Sequence, residues 1–179
     1  MVVAAFVAGA VLSATPGVAD AQQPSVLPRN RAIAPRVRSV HARSQAIDGS
    51  ERVLETAEKK TVTFAADVVF EFDKAELTPA AQTRVTGLAK ELSALGPRRV
   101  SVSGHTDDKG DDAYNKDLSR RRAEAVRATL DAALDDGFTF DVEGLGETKP
   151  AVPNTNEDGT DNPENRAANR RVDISVPNR

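Results

Sequence analysis

Arg122 occupies a helical position that should carry an apolar side chain. In the segment from Asp112 to Leu130, Leu118, Val126 and Leu130 recur at helical spacing, and Arg122 stands four residues from both Leu118 and Val126. A guanidinium on that face must snorkel to water or meet an anion, because an unpaired buried charge is very costly. Just upstream, Gly104-His105-Thr106-Asp107 ends a strand signal and supplies a carboxylate. An acid and a base held near each other suit a zwitterionic ligand. They equally suit a direct Asp107–Arg122 pair, and spacing alone does not separate the two readings.

Other clusters are less specific. Asp107, Asp108, Asp111 and Asp112 crowd one loop, but they lack the alternate spacing and closing Glu of a calcium loop. Asp111 or Asp112 is better placed to cap the following helix. The acidic run from Asn154 to Asn162 reads as a mobile loop. Gly144-Leu145-Gly146 lacks the Gly-Lys-Ser/Thr ending of a phosphate loop and reads as a strand-exit turn. His105 has no second His or Cys placed beside it for a metal, and Ser103 and Ser119 lie outside any nucleophile elbow. No catalytic set assembles, so the expectation is a non-enzymatic protein with no cofactor and no metal. Arg170 and Arg171, just before an alternating strand, read as holding acidic neighbours or clamping the loop rather than touching ligand.

The elements that must position these residues alternate between strand and helix. Thr61–Phe64 reads as a strand, and the apolar run Val68–Phe72 as a second short extended piece. Thr78 then caps a helix with Pro79 at its first position. Ala81, Val85, Leu88, Leu92 and Leu95 form its buried stripe, and Gly96-Pro97 ends it. Arg99–Ser103 is a strand, the Arg122 helix runs to near Gly137, and Phe138, Phe140 and Val142 mark a half-buried strand. A short helix over Pro163–Asn169 precedes a last strand with Val172, Ile174 and Val176 on one face. Two helices on one face of a small mixed sheet would bury both stripes in one core, an α+β two-layer sandwich.

The 179 residues suffice for one such domain with extensions. Cysteine is absent, which removes disulfides, thiolate chemistry and an acylated N-terminal cysteine. Residues 1–21 read as an export signal: Val2–Leu12 is a short apolar run, and Ala19-Asp20-Ala21 fits a small-x-small cleavage site. The run is shorter than the ~18 apolar residues a membrane helix needs, so no integral span is expected in the mature chain. Residues 22–57 read as a flexible basic linker, and the folded domain as 58–179. Residues 22–60 hold eight Lys/Arg against four Asp/Glu, whereas 61–179 hold sixteen against twenty-two. An acidic domain argues against nucleic acid, which needs a basic face.

Five motifs occur in order: Phe70-Glu71-Phe72-Asp73-Lys74-Ala75-Glu76-Leu77; Gly104–Asp107; Tyr114-Asn115 with Leu118-Ser119 and Arg121-Arg122-Ala123; Gly144–Glu147 with Pro150; and Asn169-Arg170-Arg171-Val172. Together they resemble the OmpA-like peptidoglycan-binding domain, a family that includes the peptidoglycan-associated lipoprotein and the flagellar motor protein MotB. The likeness covers about residues 60–177. It implies a βαβαββ fold that binds the diaminopimelate of the peptidoglycan stem peptide without covalent chemistry. On that resemblance, Asp107 takes the ligand ammonium and Arg122 its carboxylate, while Thr106, Asn115, Leu118 and Asp73 line the pocket. It also implies an exported protein of the periplasm or cell wall, with the outer membrane as one further association. An eight-stranded membrane barrel, carried upstream by many members, does not fit into residues 22–60. A structural role through a homodimer or protein docking is the alternative expectation.

Overall fold

The computed structural model describes residues 51–178, together with the backbone of 41–44. All of them belong to one compact unit, Val37–Arg179. Six strands form a single mixed sheet in the order β1-β2-β3-β6-β4-β5. The strands are β1 (His41–Ser44), β2 (Glu51–Glu55), β3 (Lys59–Ala65), β4 (Arg99–His105), β5 (Thr139–Gly144) and β6 (Arg171–Pro177). Only the β4–β5 pair is parallel; every other neighbour pair is antiparallel. The helices are α1 (Ala66–Val69), α2 (Pro79–Ser93), α3 (Asp112–Asp131) and α4 (Pro163–Asn169).

Period-two alternation explains the sheet. Val62 and Phe64 of β3, Val100 and Val102 of β4, and Val172, Ile174 and Val176 of β6 all face one core. Thr61, Thr63, Ser101, Ser103, Asp173 and Ser175 alternate with them and point to the other face. The core is closed by Ala81, Val85, Leu88, Ala89 and Leu92 of α2 and by Ala123, Val126 and Leu130 of α3. Fully burying each Val or Leu contributes roughly 1.5–3 kcal/mol, so this layer dominates stability. Thr78 caps α2 by accepting from the Ala81 N–H at 3.2 Å, and Asp111 caps α3 by accepting from the Tyr114 N–H at 3.0 Å.

Several boundaries differ from the sequence reading. The domain begins before Glu58. β2 pairs with β3 along its whole length and buries Val53 opposite Val62, so the expected linker does not run unbroken to residue 57. The Val68–Phe72 run is not a strand. Its first half closes the one-turn helix α1, and only Phe70 makes a bridge, to Leu77. Periodicity cannot tell a short buried helix from a short buried strand. Leu95 is half exposed because α2 ends at Ser93, before the stripe reaches it. α3 likewise stops at Asp131, well short of Gly137. The proposed export signal lies outside the described residues.

Candidate functional site

A cleft of about 530 Å³ opens where α1, the end of β4, α3 and α4 converge. Asp73, Thr106, Asp107, Asn115, Leu118 and Arg122, which the sequence separates by up to 49 positions, all line it. Close packing of α3 on the sheet brings them together. A Cβ on Gly104 would meet the Ser119 carbonyl oxygen at 2.0 Å, and one on Gly144 would meet the Lys116 carbonyl at 2.6 Å. Ser119 Oγ donates to the Lys116 carbonyl and accepts from the Gly146 N–H, both at 2.9 Å, which ties α3 to the turn after β5.

Asp107 is buried just beyond the end of β4. Its Oδ2 accepts from Arg170 at 2.6 Å and from Arg166 at 3.5 Å, while Oδ1 accepts from the Lys109 N–H at 3.2 Å. Arg170 also grips Asp67 bidentately, at 2.8 and 2.5 Å. The hydrogen bonds to Asp67, with those to Asp107 behind them, raise Arg170 above its ordinary value despite desolvation. Arg166 is held in turn by Asp161 at 2.9 and 3.0 Å, and Lys109 reaches Asp161 at 3.3 Å. The loop expected to be mobile thus buttresses this end of the cleft. A β-bridge between Thr155 and Asp161 closes it.

Arg122 occupies the other end and does not pair with Asp107. It is 6% exposed, with its Nε donating to the Lys74 carbonyl at 2.9 Å. Its guanidinium lies over the Phe70 ring, 5.2 Å from the centroid. Among the described residues no carboxylate forms an ion pair with it. Desolvation lowers its pKa, and the fields of Asp67 and Asp73 oppose that shift. It stays charged even so, because a guanidinium starts far above neutral pH.

The remaining predicted residues play distinct parts. Thr106 donates its N–H to the Gly146 carbonyl at 2.9 Å, yet its buried Oγ1 has no partner. Asn115 Nδ2 donates to the Lys109 carbonyl at 2.9 Å and to Glu147 at 3.1 Å, which fixes the loop after Asp107. Leu118 supplies an apolar wall. Asp73 has φ of 60°, uncommon for a non-glycine residue, and accepts from the Tyr114 hydroxyl at 2.5 Å. That bond raises the Tyr114 pKa.

Sequence reasoning underrated Arg166 and gave Arg170 and Arg171 one shared role. Arg166 lies in α4 and Arg170 is the residue that caps its end, a four-residue spacing that could have flagged the clamp. Arg170 faces the cleft, whereas Arg171 turns to the far face of the sheet and pairs with Asp173. Asn169, fully buried, accepts from the Ala151 and Val152 N–H groups at 2.7 and 3.1 Å and donates to the Val152 carbonyl at 2.8 Å. It pins the segment after β5 to α4.

The family model of the OmpA family matches residues 69–166, a span that contains the cleft from Phe70 to Arg166. The chain belongs to the OmpA family. Over 110 residues it is 39% identical to the photosystem I P700 chlorophyll a apoprotein A2 of Gloeobacter violaceus, covering 62% of this chain and 13% of that protein. Over 113 residues it is 37% identical to the outer-membrane lipoprotein YfiB of Pseudomonas aeruginosa, covering 63% and 64%. The chain therefore spans less than two-thirds of either relative. Among solved structures, the cell wall anchor of the T6SS from Pseudomonas aeruginosa superposes with a TM-score of 0.63 at 29% identity, over 73% of this chain and 89% of that one. OmpA-family membership and this neighbour agree with the two-layer α/β fold. No described helix is long and apolar enough to cross a membrane.

Proposed function

We propose that the domain is a non-enzymatic wall-binding module that holds the diaminopimelate of the peptidoglycan stem peptide. Arg122 carries the reading. It is a desolvated guanidinium that faces a cleft with none of its three nitrogens paired to a carboxylate among the described residues and its Nε alone given to a backbone carbonyl, and its planar fork matches a ligand carboxylate. Asp107 lines the same cleft and takes the ligand ammonium. A carboxylate offers about four acceptor sites, and Oδ1 spends only one, on a backbone N–H. Thr106 Oγ1, buried and without a partner, gains one from the ligand. Asn115, Leu118 and Asp73 complete the pocket wall.

A fixed cation and a fixed anion select a group that is itself zwitterionic, which is the chemistry of a diamino acid side-chain terminus. The names of the relatives support an envelope role: one is an outer-membrane lipoprotein and one a cell wall anchor. The location that follows is the exported side of the cell envelope, at the wall.

The test is retention of the full chain on purified sacculi, with free diaminopimelate as competitor. Asp107→Ala and Arg122→Ala should each abolish retention, since losing one desolvated charged contact costs ~2–5 kcal/mol. Retention of a folded Arg122→Ala variant at the wild-type level would sink the assignment.

A further inference from the structure

Phe72 is 98% exposed, while no other large apolar side chain among the described residues exceeds 48%. It is held there. The turn Glu71–Lys74 closes with the Lys74 N–H donating to the Glu71 carbonyl at 3.0 Å, and the Glu71 and Lys74 side chains pair. Asp73, at positive φ, is fastened to α3 by the Tyr114 hydroxyl. The carbonyl of Lys74 accepts from Arg122. The turn that presents the ring is thus tied at two points to cleft residues, and both Phe72 and the half-exposed Tyr114 line the cleft mouth.

We infer that Phe72 is a stacking platform for a pyranose ring of the glycan attached to the bound stem peptide, so that the cleft reads sugar as well as peptide. The inference rests on the wall-binding reading above. An aromatic face carries negative charge density and attracts the weakly positive C–H face of a sugar ring. The surroundings favour a sugar over an aliphatic side chain. Phe72 is flanked by the carboxylates of Glu71 and Asp73 and lies on the same rim as the Tyr114 hydroxyl, groups that can accept from or donate to ring hydroxyls. An alkyl partner would displace water from those groups and offer their remaining acceptor sites nothing in return. The cleft volume also falls in the range that holds a ligand larger than one charged side-chain tip.

The experiment measures the affinity of the full chain, wild type and Phe72→Ala, for three probes. These are free diaminopimelate, the sugar-free stem tetrapeptide, and a disaccharide tetrapeptide. Phe72→Ala should weaken the disaccharide tetrapeptide roughly fivefold and leave the other two within about twofold, the size of one aromatic contact. Phe72→Tyr should restore the loss. An equal loss on the sugar-free peptide would show that the ring packs on peptide and overturn the inference. No loss on any probe would overturn it as well. So would a wild-type dimer that Phe72→Ala converts to monomer, because a second copy would then cover the ring. If none of the probes binds the folded wild-type chain, the wall-binding reading itself fails.

Discussion

Arg122 and Arg171 are both largely withdrawn from water, on opposite sides of the same sheet, and their environments could hardly differ more. Arg171 spends its whole fork on protein. Nε donates to Asp173 at 3.0 Å, Nη1 to the Asn169 carbonyl at 3.4 Å and Nη2 to the Lys149 carbonyl at 3.2 Å, with His105 close by. Asp173 is equally satisfied, accepting from Thr63 at 2.6 Å and facing His105 at 3.4 Å. Arg122 has a carbonyl at its Nε, an aromatic ring beneath it, and the cleft beyond. The far-face cluster is closed and holds the sheet to the loop that follows β5. The cleft arginine bears the cost of desolvation without the return of an ion pair.

That contrast can be broken most forcefully at Arg171. Arg171→Ala leaves Asp173 short of its cation and should cost about 2–3 kcal/mol, read as a lower urea midpoint. Sacculus retention of the folded fraction should persist. A smaller stability effect comes from acid. Burial alone would raise the Asp173 carboxyl, but hydrogen bonds from His105 and Thr63 and the charge of Arg171 hold it below its ordinary value. A carboxylate depressed by folding stabilises the protein above its unfolded pKa of about 3.9, and that contribution is lost as pH falls through the folded value. The melting temperature should therefore drop below about pH 4, and Asp173→Asn should flatten part of the slope. An unchanged slope would show that the far-face cluster is not the acid-labile element. Smallest of all should be the stability change in Arg122→Met. Removing a desolvated charge without a carboxylate partner should shift stability by less than about 1 kcal/mol, in either direction. A large loss would mean that Arg122 is structural like Arg171, and the contrast would collapse.

Much of the frame was legible in the residues. Alternation of Val100 and Val102, and of Val172, Ile174 and Val176, marked β4 and β6, because burial on one face of a sheet imposes a period of two. Thr78-Pro79 marked the start of α2 and the Asp111-Asp112 pair that of α3 through their capping chemistry, and the structure makes Asp111 the cap. Arg122 stood out because it breaks an apolar stripe. Less legible were α1, whose four residues are too few for a period to register, and β2, whose membership depends on pairing with β3.

Local pattern, then, was enough to say which residues form strands and helices, and that one arginine is out of place. It was not enough to say which acid each arginine meets. Asp107 could have paired with Arg122, and only the tertiary placement of Arg166 in α4 and Arg170 just after it beside the loop that follows β4 gives it to them instead. The neighbours Arg170 and Arg171 part company because the chain is extended there, so consecutive side chains leave on opposite sides. Ion pairing depends on distances between segments far apart in sequence, and those distances exist only once the sheet and helices have closed on one core.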